Sequence, residues 1–76
     1  MIYREVTVTV QRGGHTVVEL YGAGVTYEEA TEDALGARVL SEEERPRRGD
    51  KLTVTDDRHD RLIAEYLFDR EVACRV

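Results

Sequence analysis

From Ile2 to Gln11 apolar and polar residues alternate with a single break at Arg4, and no other feature constrains the fold of this chain as strongly. Ile2, Val6, Val8 and Val10 fall on one face of an extended strand; Tyr3, Glu5, Thr7, Thr9 and Gln11 fall on the other. A period of two marks a strand half-buried in a sheet, because successive side chains leave opposite sides of a pleated backbone. A second extended run, from His15 to Gly22, follows Arg12-Gly13-Gly14, so the chain begins as a β-hairpin with one apolar face. A two-residue Gly13-Gly14 turn would set Val8 opposite Glu19 and Val6 opposite Tyr21, bringing a carboxylate to the core side. A three-residue turn with Gly14 left-handed sets Val10 opposite Thr16, Val8 opposite Val18 and Val6 opposite Leu20, and this is the register expected.

Gly22-Ala23-Gly24 reads as the end of the second strand. Thr26-Tyr27-Glu28-Glu29 then has the spacing of a capping box, in which the threonine hydroxyl accepts a free backbone amide and the glutamate reaches back. A helix is therefore predicted from Tyr27. Glu28, Glu29, Glu32 and Asp33 crowd its first turns, where the positive end of the helix dipole tolerates them, and Arg38 lies near the far end. Tyr27, Ala30, Ala34 and Ala37 form a narrow stripe of mostly small side chains, which suits a helix lying close on a sheet. Gly36 costs about 1 kcal/mol in helix propensity and points to close packing or to weakening of the helix there.

Residues 41–50, SEEERPRRGD, place an acidic block before a basic one around the only proline, and read as a solvated linker. Lys51 to Thr55 alternates again with Leu52 and Val54 on one face, and residues 56–60 form a polar turn. The segment from Arg61 to Val76 supports two readings. One is a hairpin with strands Leu62–Phe68 and Glu71–Val76; the other is a helix capped by Asp60. The hairpin gives the sheet enough strands, so the expected fold is a single α+β domain over residues 1–76 of order ββαβββ, one helix on an antiparallel or mixed sheet, with ββαβα as the alternative.

The stretch Gly24-Val25-Thr26-Tyr27-Glu28-Glu29-Ala30, following a two-strand hairpin, resembles the strand-to-helix junction of HicB-type antitoxin domains and implies a similar hairpin-helix arrangement. The ββαβ order is similar to that of β-grasp domains such as ubiquitin. The sequence reads Cys74-Arg75-Val76 where a conjugated modifier has diglycine, so conjugation is not expected.

Size and charge narrow the functional classes. A chain of 76 residues has a small core and little room for a deep pocket. The net charge of −5 disfavours nucleic acid and anionic lipid and favours a basic partner surface. No apolar run reaches the length of a membrane span, and Met1 to Val10 lacks the basic-then-apolar order of a signal peptide. With Cys74 as the only cysteine, a reducing, cytoplasmic setting is expected. Ser41, Cys74, His15 and His59 do not fall into a nucleophile-base pattern or a zinc spacing, and the glycine pairs match no phosphate-binding fingerprint. The Asp56 to Asp60 loop lacks the glycine and distal glutamate of an EF-hand, and the carboxylate clusters are all expected to be wet. Neither catalytic residues, nor metal ligands, nor a cofactor are assigned. Arg45, Arg47, Arg48 and Lys51 form the one basic cluster in sequence, flanked by Glu42 to Glu44 and Asp50, which cancel most of its field.

The expectation is a non-enzymatic protein-interaction module, acting as a homodimer or on a protein partner through a sheet edge or strand face. Its candidate contact residues are Tyr3, Thr7, Thr9, Val17 and Tyr21, an uncharged set rich in aromatic and β-branched side chains. The alternative is a small acidic inhibitor or antitoxin-like protein. In that case Glu28, Glu29, Glu32, Asp33, Glu42, Glu43 and Glu44 would cover a basic site on a nuclease or nucleic-acid-binding partner.

Overall fold

The computed structural model describes residues 3–36 and 39–69. Within them β1 (Arg4–Arg12) and β2 (His15–Gly24) form the hairpin, α1 (Tyr27–Gly36) follows, and β3 (Lys51–Asp56) and β4 (Arg61–Leu67) complete the chain. The four strands make one sheet of order β2-β1-β3-β4 in which every neighbouring pair is antiparallel. The helix therefore carries the chain from edge strand β2 across β1 to β3, and it packs on β2 and β1. The α+β class is as expected. Residues 61–67 are a strand, which rejects the helical reading there, and the expected partner strand Glu71–Val76 lies outside the described residues, as does Cys74.

Alternation sets the core. Val6, Val8 and Val10 of β1, Leu20 and Val18 of β2, and Leu52 and Val54 of β3 are buried on one face, under Ala30 and Ala34 of the helix and Leu40 of the following loop.

The hairpin register differs from the one expected. Arg12 pairs with His15, so Gly13-Gly14 is a two-residue turn, and both glycines have positive φ, 59° and 83°, as a type I′ turn requires. The carboxylate clash that argued against this turn is removed by a bulge. Val10 pairs with Val18 and Gln11 with Thr16, leaving Val17 as the extra residue, and beyond it Val8 faces Leu20 and Val6 faces Gly22. β4 has a second bulge, at Ile63, between the pairs Val54–Ala64 and Thr55–Leu62. Val17 and Ile63 both pack against the core.

Gly22 and Gly24 do not break β2, which runs through both. They admit the helix. A Cβ on Gly22 would lie 2.3 Å from the Ala30 carbonyl oxygen and the Ala34 amide nitrogen, and one on Gly24 would lie 2.7 Å from the Ala30 amide nitrogen. Helix and strand thus touch backbone to backbone across glycine and alanine. Gly36, by contrast, faces open space. The capping box forms with one change: Thr26 Oγ1 accepts the Glu29 amide at 3.1 Å, and Glu29 accepts the amide of Val25 instead of Thr26.

Most of residues 41–50 are exposed, but the segment has fixed anchors that a solvated linker lacks. Pro46 and Asp50 are buried. Ser41 and Glu44 make a second, smaller capping box, the Glu44 amide donating to Ser41 Oγ and the Ser41 amide to the Glu44 carboxylate. Arg12, in phase with the buried valines of β1, donates to the Asp50 carboxylate and to the carbonyl oxygens of Glu43 and Arg45. The Gly49 amide donates to the Phe68 carbonyl oxygen and the Phe68 amide to the Asp50 carbonyl oxygen, each at 2.8 Å, joining the loop to the end of β4.

Candidate interaction surfaces

The face of the sheet opposite α1 has no element of the described residues packed on it. Strand pairing lays its side chains out in rows: Tyr21, Thr7, Thr55 and Leu62 in one; Glu19, Thr9, Thr53 and Glu65 in the next; Thr16, Gln11, Lys51 and Leu67 in the third. The centre is a square of four threonines, uncharged and half-buried. Its rim is mixed: Glu19, Lys51 and Glu65 stand beside three apolar side chains, Tyr21 63%, Leu62 58% and Leu67 66% exposed. The charges present are partly self-neutralised, since Lys51 Nζ lies 3.1 Å from the Glu65 carboxylate. β-Branched residues favour strands for packing reasons, but exposed leucines at both ends of an edge strand serve no such need.

Of the five residues expected on this surface, Thr7, Thr9 and Tyr21 lie on it. Val17 does not, because the bulge turns it against the core. Tyr3 precedes β1 and lines a shallow groove with Val25, Glu28, Glu29, Glu32 and Asp33. Leu62, Leu67, Thr53 and Thr55 join the face and were not anticipated, since only the pairing of β1 with β3 brings the two Thr-Val-Thr segments side by side.

The acidic residues divide into two groups. Glu28, Glu29, Glu32 and Asp33 surround the groove beside Gly24, which pairs with Arg4 at one end of β1. Glu42, Glu43 and Glu44 sit by Arg12 at the other end. Two of the first group have internal tasks: Glu29 accepts the Val25 amide and Asp33 the Ala23 amide at 2.9 Å.

Two carboxylates in loops expected to be wet are instead buried. Asp50 is held well below the usual carboxylate range, first by the Arg12 guanidinium and then by the Arg47 amide, against the opposing effect of burial. Asp56, 2% exposed, is in phase with Leu52 and Val54 and points under the helix. The Tyr27 hydroxyl donates to its Oδ2, and this bond is the main cause of a strongly lowered pKa, with the amides of His59 and Arg58 and the His59 ring adding to it against burial. His59 Nδ1 is 3.2 Å from Oδ2, and the Arg58 and His59 amides are 2.9 and 3.1 Å from Oδ1. An ionised carboxylate only accepts, so His59 Nδ1 carries the proton, and the rest of the side chain is largely exposed. Asp60 supports this tight turn with a positive φ of 51°.

Among the described residues no three His, Cys, Asp or Glu side chains gather as a metal site, and no helix is long and apolar enough to cross a membrane. Comparison with protein-family models, with curated proteins and with solved structures finds no match. The resemblance to HicB-type domains therefore rests on the Gly24 to Ala30 junction alone.

Proposed function

We propose that this protein is a non-enzymatic interaction module whose contact surface is the uncovered face of the sheet, used against a second copy of the chain or a protein partner. The observation that supports this reading is the composition of that face: an uncharged threonine centre between Tyr21 on one edge strand and Leu62 and Leu67 on the other. Strand addition at an edge is the weaker form of the proposal. Among the described residues both outermost strands, β2 and β4, carry bulges, which interrupt the row of amides and carbonyls that an added strand needs. The acidic-inhibitor alternative has less support, because its two groups of carboxylates lie at opposite ends of β1 and several of them cap the protein's own amides.

The test is the solution mass by light scattering at about 0.05 and 0.5 M salt, for the natural chain and for Tyr21→Arg and Leu62→Arg. Twice the 8.7 kDa monomer at both salts, reverting to monomer in either variant, is the expected result for self-association. A dimer that survives both substitutions removes the sheet face from the proposal. A dimer that forms only at low salt moves the weight to charge, and hence to the acidic groove.

A further inference from the structure

The cluster around Tyr27 has more cations than its own carboxylates use. Arg4 stacks on the Tyr27 ring, its guanidinium carbon 4.7 Å from the centroid, and Arg61 Nη2 donates to the hydroxyl of the same ring at 3.4 Å. Arg58 reaches back to the carbonyl oxygen of Tyr3, next to Arg4. None of these three guanidiniums has a carboxylate within ion-pair distance among the described residues, whereas Arg12 and Lys51 do. Asp56, which accepts from the same Tyr27 hydroxyl, cannot serve them. Its two oxygens already accept four hydrogen bonds, from Tyr27, the His59 ring and the amides of Arg58 and His59. The turn's two other acids are exposed: Asp57 accepts the Thr7 hydroxyl at 2.7 Å on the opposite face, and Asp60 follows His59.

Arg4 and Arg61 thus bring two positive charges to one phenol, and a bound anion would lower their mutual repulsion. We propose that Arg4, Arg58, Arg61 and His59 form a binding site for a phosphate group at the Tyr27 end of the sheet. Guanidinium forks match phosphate oxygens with paired hydrogen bonds, and three forks offer more donors than the two oxygens of a carboxylate can accept. His59 completes the set. With Nδ1 on Asp56 and the side chain largely exposed, Nε2 is the ring nitrogen left for the anion. The chain Arg61 to Tyr27 to Asp56, joined there by His59, also holds the site's members in place before any ligand arrives.

The experiment is a titration of the protein with inorganic phosphate, followed by nitrogen-15 NMR of the arginine Nε–H groups and the His59 ring at constant ionic strength. The expected result is saturable shifts at Arg4, Arg58, Arg61 and His59 with a dissociation constant on the order of 1 mM. Arg61→Gln and Arg58→Gln, both on exposed side chains, each weaken binding about fivefold or more, and Arg45→Gln leaves it unchanged. Shifts that stay linear to about 50 mM overturn the proposal. So does equal weakening by Arg45→Gln, which marks a diffuse field, or equal binding of acetate, which removes the preference for phosphate. Tyr21→Arg lies on the other face and leaves this binding intact, so failure here is separable from failure of the interaction surface.

Discussion

Arg12 and Asp50, 38 residues apart in sequence, face each other fork to fork, with Nε to Oδ1 at 2.9 Å and Nη2 to Oδ2 at 2.8 Å. The pair ties the hairpin turn to the start of β3 and leaves Asp50 almost without solvent contact. A carboxylate so placed depends on its partner.

Asp50→Asn is expected to cost roughly 2–3 kcal/mol, the loss of charged hydrogen bonds at a buried position. Arg12→Gln should cost about as much, and the double variant little more than either alone. Urea unfolding of the three variants measures the coupling, and a coupling below about 0.5 kcal/mol would falsify the view that this pair anchors the loop.

Acid should act through Asp50 and Asp56. Both have folded-state pKa values below the ordinary carboxylate value of 3.8. Their contribution is therefore present above that value and lost as pH falls through the folded pKa values. Stability at pH 7 and pH 5 should differ little on their account and should fall steeply below about pH 4. Tyr27→Phe removes the main cause of the Asp56 shift, so its acid midpoint should move upward; an unchanged midpoint, read by circular dichroism, counts against the Tyr27 bond.

Two glycines predict opposite outcomes for one substitution. Gly22→Ala places a Cβ 2.3 Å from backbone atoms of α1 that cannot move independently, and should cost roughly 2 kcal/mol or more. Gly36→Ala meets nothing and should stabilise by up to about 1 kcal/mol. Thermal unfolding of both variants orders them, and equal effects contradict the close approach.

Val17 tests the bulge. Packed against the core, it should lose about 1–2 kcal/mol on substitution by Asp, whereas Thr9→Ser on the open face should fall within about 0.5 kcal/mol of the natural chain. A neutral Val17→Asp would return this residue to the outer surface.

The parts legible in sequence were those governed by neighbours in the chain. The alternation of β1 and β3, the capping at Thr26 and the Tyr27, Ala30 and Ala34 part of the small-residue stripe each depend on residues a few positions apart, and each is found at its predicted place, while Ile2, Ala37 and Arg38 lie outside the described residues. The register of the hairpin was not, because two turns compete at Gly13-Gly14 and the bulge that decides between them has only one local trace, the adjacent Val17 and Val18 in an otherwise alternating strand. Gly22 and Gly24 misled for a related reason. A glycine that breaks a strand and one that admits a helix look the same until the helix is placed. The contact face was half legible: Thr7, Thr9 and Tyr21 belong to a local hairpin, but Thr53, Thr55, Leu62 and Leu67 arrive by pairing across the long connection through α1. Arg12, Asp50 and Asp56 fall in segments whose sequence reads as turn or linker. A parity signal was available for two of them, since Arg12 continues the phase of Val6, Val8 and Val10, and Asp56 that of Leu52 and Val54.

The backbone contact between β2 and α1 has a consequence for ancestry. Because Gly22, Gly24, Ala30 and Ala34 set one distance jointly, none of them is free to drift while the others stay. Descendants of a common ancestor can exchange their surfaces and loops and still have to keep G-x-G-x5-A-x3-A at this junction, or move the helix. That spacing, more than overall similarity, is the pattern by which distant kin of this small domain are to be sought.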